Sequence, residues 1–149
     1  MRAVVQRVIS ARVIVDGRQV AAVEHGLLAF IGIARDDDAD DVAYVAKKMV
    51  ELRVFADAAG RFNRSVLEVE GTALLVSQFT LYGDCRRGRR PSFDQAASSV
   101  DARALYEAVA ETVRGHGVPV QTGVFQKHMR VESVNDGPVT ILVDSGKAF

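Results

Sequence analysis

The stretch G-L-L-A-F-I-G-I, Gly26 to Ile33, contains no polar side chain. An apolar run of this kind is expected of a strand buried on both faces, so the rest of the chain must cover it above and below. A second run, T-A-L-L-V-S-Q-F-T-L-Y-G from Thr72 to Gly83, is nearly as apolar, but two hydroxyls and an amide sit where a buried strand should finish. With 149 residues, 48% of them hydrophobic and 26% charged, the chain can bury roughly 70% of its unfolded surface in one core. One domain spanning residues 1–149 is expected.

Around these two runs the pattern is mostly extended. Val13 and Val15 alternate with Arg12, Ile14 and Asp16, and Asp16-Gly17 is a two-residue hairpin signal, so residues up to Ile33 read as three strands. A helix follows, capped by Asp38 or Asp40, with Val42, Val45, Ala46, Met49 and Val50 on one face and Lys47 and Lys48 outwards. Leu52 to Phe55 read as a short strand, Asp57 to Arg64 as a polar loop, and Thr72 to Thr80 as the strand of the second run. The segment D-A-R-A-L-Y-E-A-V-A-E-T-V-R-G-H-G makes a second helix with Leu105, Val109 and Val113 towards the core, ended by Gly115 or Gly117. Extended structure resumes at Val118-Pro119-Val120, and Met129 to Val134 and Val139 to Asp144 form two further strands separated by N-D-G-P. The expected class is α+β, with mixed β-sheets in a layered sandwich and two main helices covering one face.

Charge and cysteine content narrow the chemistry. Nineteen Lys and Arg balance nineteen Asp and Glu, which argues against wholesale polyanion binding. The distribution is uneven, however: Arg86, Arg87, Arg89 and Arg90 crowd into C-R-R-G-R-R-P, and D-D-D-A-D-D spans Asp36 to Asp41. The acidic run suits the positive end of a helix start. Cys85 is the only cysteine, so an intrachain disulfide and multi-cysteine zinc patterns are excluded. No apolar stretch is long enough to span a membrane, and M-R-A-V-V-Q-R-V runs straight into a strand pattern without an apolar leader, so a cytoplasmic location is expected. His25, His116 and His128 are scattered, with no H-E-x-x-H, and no G-x-S-x-G or phosphate-binding glycine loop occurs. Neither a metal nor a cofactor is expected.

Two features remain. At Ser77-Gln78-Phe79-Thr80 a departing strand can leave backbone N–H groups unpaired and facing a ligand, an arrangement suited to an oxyanion; the alternative is polar residues that cap a turn. Gly137-Pro138 in N-D-G-P-V-T is either an ordinary turn or, if cis, a rigid projection presenting backbone carbonyls.

Taken together, S-Q-F-T-L (Ser77 to Leu81) and N-D-G-P-V-T (Asn135 to Thr140) resemble the two signature motifs of the D-aminoacyl-tRNA deacylase family, at the expected separation. The similarity covers essentially the whole chain, including M-R-A-V-V-Q-R-V, G-L-L at Leu27 and G-R-R-P-S-F from Gly88 to Phe93. It implies a homodimeric enzyme that hydrolyses the ester of D-aminoacyl-tRNA, and of glycyl-tRNA, while rejecting L-aminoacyl-tRNA. Ser77, Gln78, Phe79 and Thr80 would hold the terminal adenosine and the ester. Backbone donors and the ribose 2′-hydroxyl would replace a side-chain nucleophile. Gly137 and Pro138 would form a chiral filter inserted from the partner subunit, supported by Arg7 and Asn135. Phe125 and Met129 would line the substrate pocket, and the four arginines would contact acceptor-stem phosphates. One departure stands out: relatives carry F-G-A-x-M where this chain has F-Q-K-H-M, Phe125 to Met129. Three other readings are a trans Gly-Pro relative acting on L-aminoacyl-tRNA, an RNA-end-binding module without turnover, and a serine or threonine hydrolase using Thr80.

Overall fold

The computed structural model describes residues 1–148. Its eleven elements run β1 (Arg2–Val15), β2 (Arg18–Val23), β3 (Gly26–Gly32), α1 (Ala39–Glu51), β4 (Phe55–Ala56), β5 (Phe62–Arg64), β6 (Thr72–Ser77), a 3-10 turn (Phe79–Tyr82), α2 (Ser99–Gly115), β7 (Val120–Thr122) and β8 (Arg130–Asp144). The mixed α+β class agrees with expectation. No helix among the described residues is long and apolar enough to cross a membrane.

β1 is paired along both edges. One edge meets β3 from Arg2↔Gly32 to Val8↔Gly26 and then β2 from Ala11↔Val23 to Val15↔Arg18. The other edge carries β8 from Arg2↔Asp144 to Ile14↔Arg130, with register slips around Val8. All these pairings are antiparallel, whereas β3–β6 and β6–β7 are parallel. The Asp16-Gly17 hairpin forms as expected, both residues having positive φ (50° and 76°), the geometry of a two-residue primed turn.

The two covers of the apolar run are now visible. Leu27, Ala29 and Ile31 face one way with Ala3, Val5, Ala73 and Leu75, and pack against both helices. Leu28, Leu74 and Val76 face the other way, against Val13 and Val15 of β1 and Ala21 and Val23 of β2, so the curled hairpin acts as the second layer. α1 is capped by Asp38, whose side chain accepts from the Asp40 and Asp41 N–H groups while Asp41 reaches back to the Asp38 N–H. α2 begins at Ser99, two residues earlier than expected, because Ser98 caps it through the Asp101 N–H. Gly115 is its last residue, and Gly117 takes the left-handed conformation beyond it.

Leu105 packs against the core as a partly buried residue, beside the buried Tyr106, whose hydroxyl donates to the Leu75 carbonyl at 2.8 Å. Three local expectations are corrected. The two expected C-terminal strands are one, β8, since continuous β1 pairs on both sides of Asn135–Pro138. The polar loop after Asp57 contains β5, paired with β4, and the expected strand at Leu52 to Phe55 is reduced to Phe55–Ala56 because Leu52 closes α1. Finally, β6 ends at Ser77 rather than Thr80. The Gln78 N–H makes the last bond to β3, to the Ile31 carbonyl at 2.7 Å, and the chain then turns into the 3-10 turn.

That turn rests on Gly32. A Cβ there would sit 2.9 Å from the Leu81 Cβ and 3.1 Å from the Gln78 carbonyl oxygen. Gly32→Ala is therefore expected to push the turn off β3 and cost about 1–3 kcal/mol, read as a fall in the urea midpoint with unchanged slope.

Candidate active site

The end of β6 opens into a cavity of about 780 Å³. Ser77, Gln78 and Phe79 line one side, and the turn after β7, with Phe125, Lys127 and Met129, lines another. The Phe79 and Thr80 N–H groups find no acceptor among the described residues, since a first turn has no preceding carbonyls to meet and no side chain caps it. The family resemblance points to donors around Gln78 and Phe79; the Gln78 N–H is taken up by the Ile31 carbonyl, so the free pair is displaced by one residue, to Phe79 and Thr80.

The side chains around them are held from behind. Phe79 is 56% exposed and meets Phe93 edge-on at 5.0 Å. Phe125 lies between Tyr106, at 6.1 Å, and the Arg103 guanidinium, 4.9 Å from its ring. Burial pushes the Tyr106 hydroxyl well above its ordinary value, so it remains a donor to Leu75. The Thr80 hydroxyl accepts from the Gln78 amide, and Thr80 stands outside the lining. His128 lines the cavity, yet no hydrogen bond joins it to Ser77 or Thr80 among the described residues. A nucleophile–base pair is thus not assembled in this state.

Gly137-Pro138 lies elsewhere in the same chain. The peptide bond is cis, and Gly137 has φ 143°. Asn135 clasps the loop: its amide donates to the Val139 carbonyl at 3.0 Å, and its carbonyl accepts the Val139 N–H at 2.7 Å. Arg7 holds the loop from the side. Its Nε donates to the Asp136 carbonyl at 3.1 Å and pairs with the Asp136 carboxylate at 3.0 Å. Its Nη1 donates to the Val54 carbonyl, and Phe62 lies 5.2 Å from the guanidinium. Arg7 and Asn135 both bond this loop, and Val54 and Phe62 hold Arg7 in turn, contacts that the linear order did not signal.

The two motifs do not meet within one chain. Along β3, Arg7 is opposite Leu27 and Ser77 is opposite Ile31, and three inter-strand steps separate β8 from β6. At about 3.3 Å per residue and 4.8 Å per strand, the separation is on the order of 20 Å. Gly137 and Pro138 do not line the cavity at Ser77. Asp136 instead borders a second cavity of about 640 Å³, shared with Arg7, His25 and Phe55.

The arginine loop rises from the rim of the first cavity. An Asp84–Ser92 bridge closes its base immediately before Phe93. Arg86 bonds the Asp84 carboxylate through Nε at 2.9 Å and Nη2 at 2.6 Å, and these contacts with the Arg86 N–H hold that carboxyl down to about 2. Arg87, Arg89 and Arg90 have no carboxylate partner among the described residues, so the cluster divides into one closure and three free cations. Among the described residues, no group of three His, Cys, Asp or Glu side chains is arranged to hold a metal. Lys127 and His128, which the sequence marks as a departure from the family pattern and as a histidine able to approach Ser77, line the cavity; Ala97 does so without having been singled out, and Phe93 is marked only as the end of G-R-R-P-S-F.

Comparison with known proteins places this arrangement. A family model for D-Tyr-tRNA(Tyr) deacylase matches residues 4–144. A D-aminoacyl-tRNA deacylase of Fervidobacterium nodosum is 55% identical over 149 residues, and one of Anaeromyxobacter dehalogenans is 56% identical over 149; each alignment covers all of both chains. Among solved structures, the c-Myc DNA unwinding element binding protein superposes with a TM-score of 0.93 at 36% identity, covering 97% of this chain and 99% of that one. A probable eukaryotic D-amino acid tRNA deacylase shares the fold, with a TM-score of 0.82 at 20% identity over 95% of this chain and 97% of the other. With its strand-end cavity and its separate Gly-Pro loop, the chain belongs to the D-Tyr-tRNA(Tyr) deacylase family.

Proposed function

We infer that the chain, as one domain over residues 1–149, is a D-aminoacyl-tRNA deacylase: a hydrolase that cleaves the ester between a D-amino acid and its tRNA. The reading is carried by the unpaired Phe79 N–H group at the Ser77–Phe79 cavity, in a chain of this family. Water attacks the ester carbonyl carbon. The developing oxyanion is met by this N–H group, the bond to the ribose oxygen breaks, and the free amino acid and tRNA leave. A single donor of this kind is worth about 10²- to 10³-fold in rate. The substrate's own 2′-hydroxyl, already adjacent to the ester, helps activate the water without further loss of freedom. No side-chain nucleophile, metal or cofactor is required, and the reaction takes place in the cytoplasm, among the tRNA pool.

Chirality is read by exclusion. The Gly137-Pro138 loop meets the α-carbon substituents of the amino acid, so a D-side chain points away and an L-side chain collides. Glycine, with no side chain, is also accepted. Because the loop lies on the order of 20 Å from its own chain's cavity, a second copy supplies it. The exposed Ile9 of β1 and Val134 and Leu142 of β8 offer apolar surface for such a homodimer. Phe125 and Met129 shape the pocket for the terminal adenosine, and Arg87, Arg89 and Arg90 contact acceptor-stem phosphates without reading sequence.

Three outcomes are expected. In single-turnover assays D-tyrosyl-tRNA is deacylated and L-tyrosyl-tRNA is spared, and Ser77→Ala and Thr80→Ala keep most of the activity; loss of both esters, or abolition by either variant, contradicts the filter or the backbone mechanism respectively. Arg7→Lys retains the charge but not the fork that grips Asp136 and Val54, so hydrolysis of the L-ester should rise relative to the D-ester. Replacing Arg87, Arg89 and Arg90 with Ala should weaken tRNA binding and flatten its dependence on salt, the slope changing by roughly 0.9 for each duplex phosphate that is no longer neutralised.

A further inference from the structure

The residues lining the strand-end cavity include no Asp or Glu, and Lys127 is the only one with a permanent formal charge. Lys127 is exposed and has no carboxylate partner among the described residues. It belongs to a turn whose backbone is pinned: the Lys127 N–H donates to the Val124 carbonyl at 3.3 Å, and Gln126 takes φ 60°. The flanking side chains are anchored as well, Phe125 against Tyr106 and Met129 against the second apolar cluster. A flexible cation on a fixed base therefore borders the cavity that ends at Ser77, Gln78 and Phe79.

We propose that Lys127 binds the phosphodiester joining the last two nucleotides of the substrate, a subsite distinct from the arginine loop. The proposal rests on the reading of this cavity as the seat of the aminoacylated adenosine. With the ester at the Ser77–Phe79 end, the first anionic group encountered along the nucleotide chain is the 5′-phosphate of that adenosine. The lining offers it one permanent cation and no repelling carboxylate. An ammonium on a long stem suits a single phosphodiester, which needs a point charge rather than a planar fork. The arginines are placed differently. They stand on a loop closed at Asp84–Ser92, next to Phe93, and none of them lines the cavity.

The test compares Lys127→Ala and Lys127→Arg with the unaltered enzyme on D-tyrosyl-tRNA across a range of salt, and on D-tyrosyl-adenosine, an ester with no phosphate. Removing one charge-assisted hydrogen bond is expected to lower kcat/KM of the Ala variant on tRNA about 10-fold at low salt. The slope of log kcat/KM against log salt should flatten by roughly 0.7, the value for one single-strand phosphate. The Arg variant should retain most of both, and cleavage of the adenosine ester should be unchanged. An unchanged salt slope on tRNA overturns the proposal, as does an equal fall on both esters, which would indicate a purely structural role. If the unaltered enzyme fails to deacylate D-tyrosyl-tRNA at all, the underlying reading of the cavity falls, and the phosphate subsite falls with it.

Discussion

Pairing of β1 along both edges is the constraint on which the rest of the structure depends. Its first half faces the helices through Ala3 and Val5, and its second half faces the opposite layer through Val8, Ala11, Val13 and Val15. Strict alternation puts Val5 and Val8 on opposite faces, but it would return Ala11, Val13 and Val15 to the face of Ala3 and Val5. The slips between Gln6 and Val8, and between Val8 and Ser10, absorb the change. A break of this kind bends a strand and redirects its side chains. It lets one strand both join the central sheet and curl with β2 to cover it.

The same break explains where the Gly-Pro loop sits. β8 runs beside β1 over almost its whole length, so a slip in one is a slip in their shared register, and Asn135–Pro138 falls beside it. Arg7 lies in the break and is 9% exposed, and its donors meet the carbonyls of Val54 and Asp136 and the Asp136 carboxylate. A guanidinium this buried is tolerable only with such partners, and the partners are thereby held in place. Asn135 completes the loop locally, through the two bonds to Val139.

At the other end of β3 the site arises where strand pairing stops. The ladder ends at Gln78, Gly32 leaves room for the 3-10 turn, and the next two N–H groups are released. The open strand end, the turn after β7 and the start of α2 line one cavity, with Ser77, Gln78, Ser99, Gln126, Lys127 and His128 as its polar residues. The released N–H groups belong to the main chain, so residue identity does not mark them. The motif S-Q-F-T-L was visible as an anomaly in an apolar run, and its meaning came from family resemblance.

What the sequence determined by itself was local. The two apolar runs required covered strands, Asp16-Gly17 required a tight hairpin, the Asp38 region required a helix start, and the α+β class followed from their order. Each of these rests on interactions within a few residues, where propensity and periodicity act directly. Tertiary structure alone decided that β6 ends at Ser77, that one long β8 replaces two strands, that the Tyr106 hydroxyl reaches the Leu75 carbonyl, and that Arg7 reaches partners 47 and 129 positions away. These outcomes depend on which strand lies alongside and on which carbonyl a side chain can reach after the layers pack. Such pairings have no counterpart in the linear order, because the hydrogen-bond partners come together only when the sheet closes.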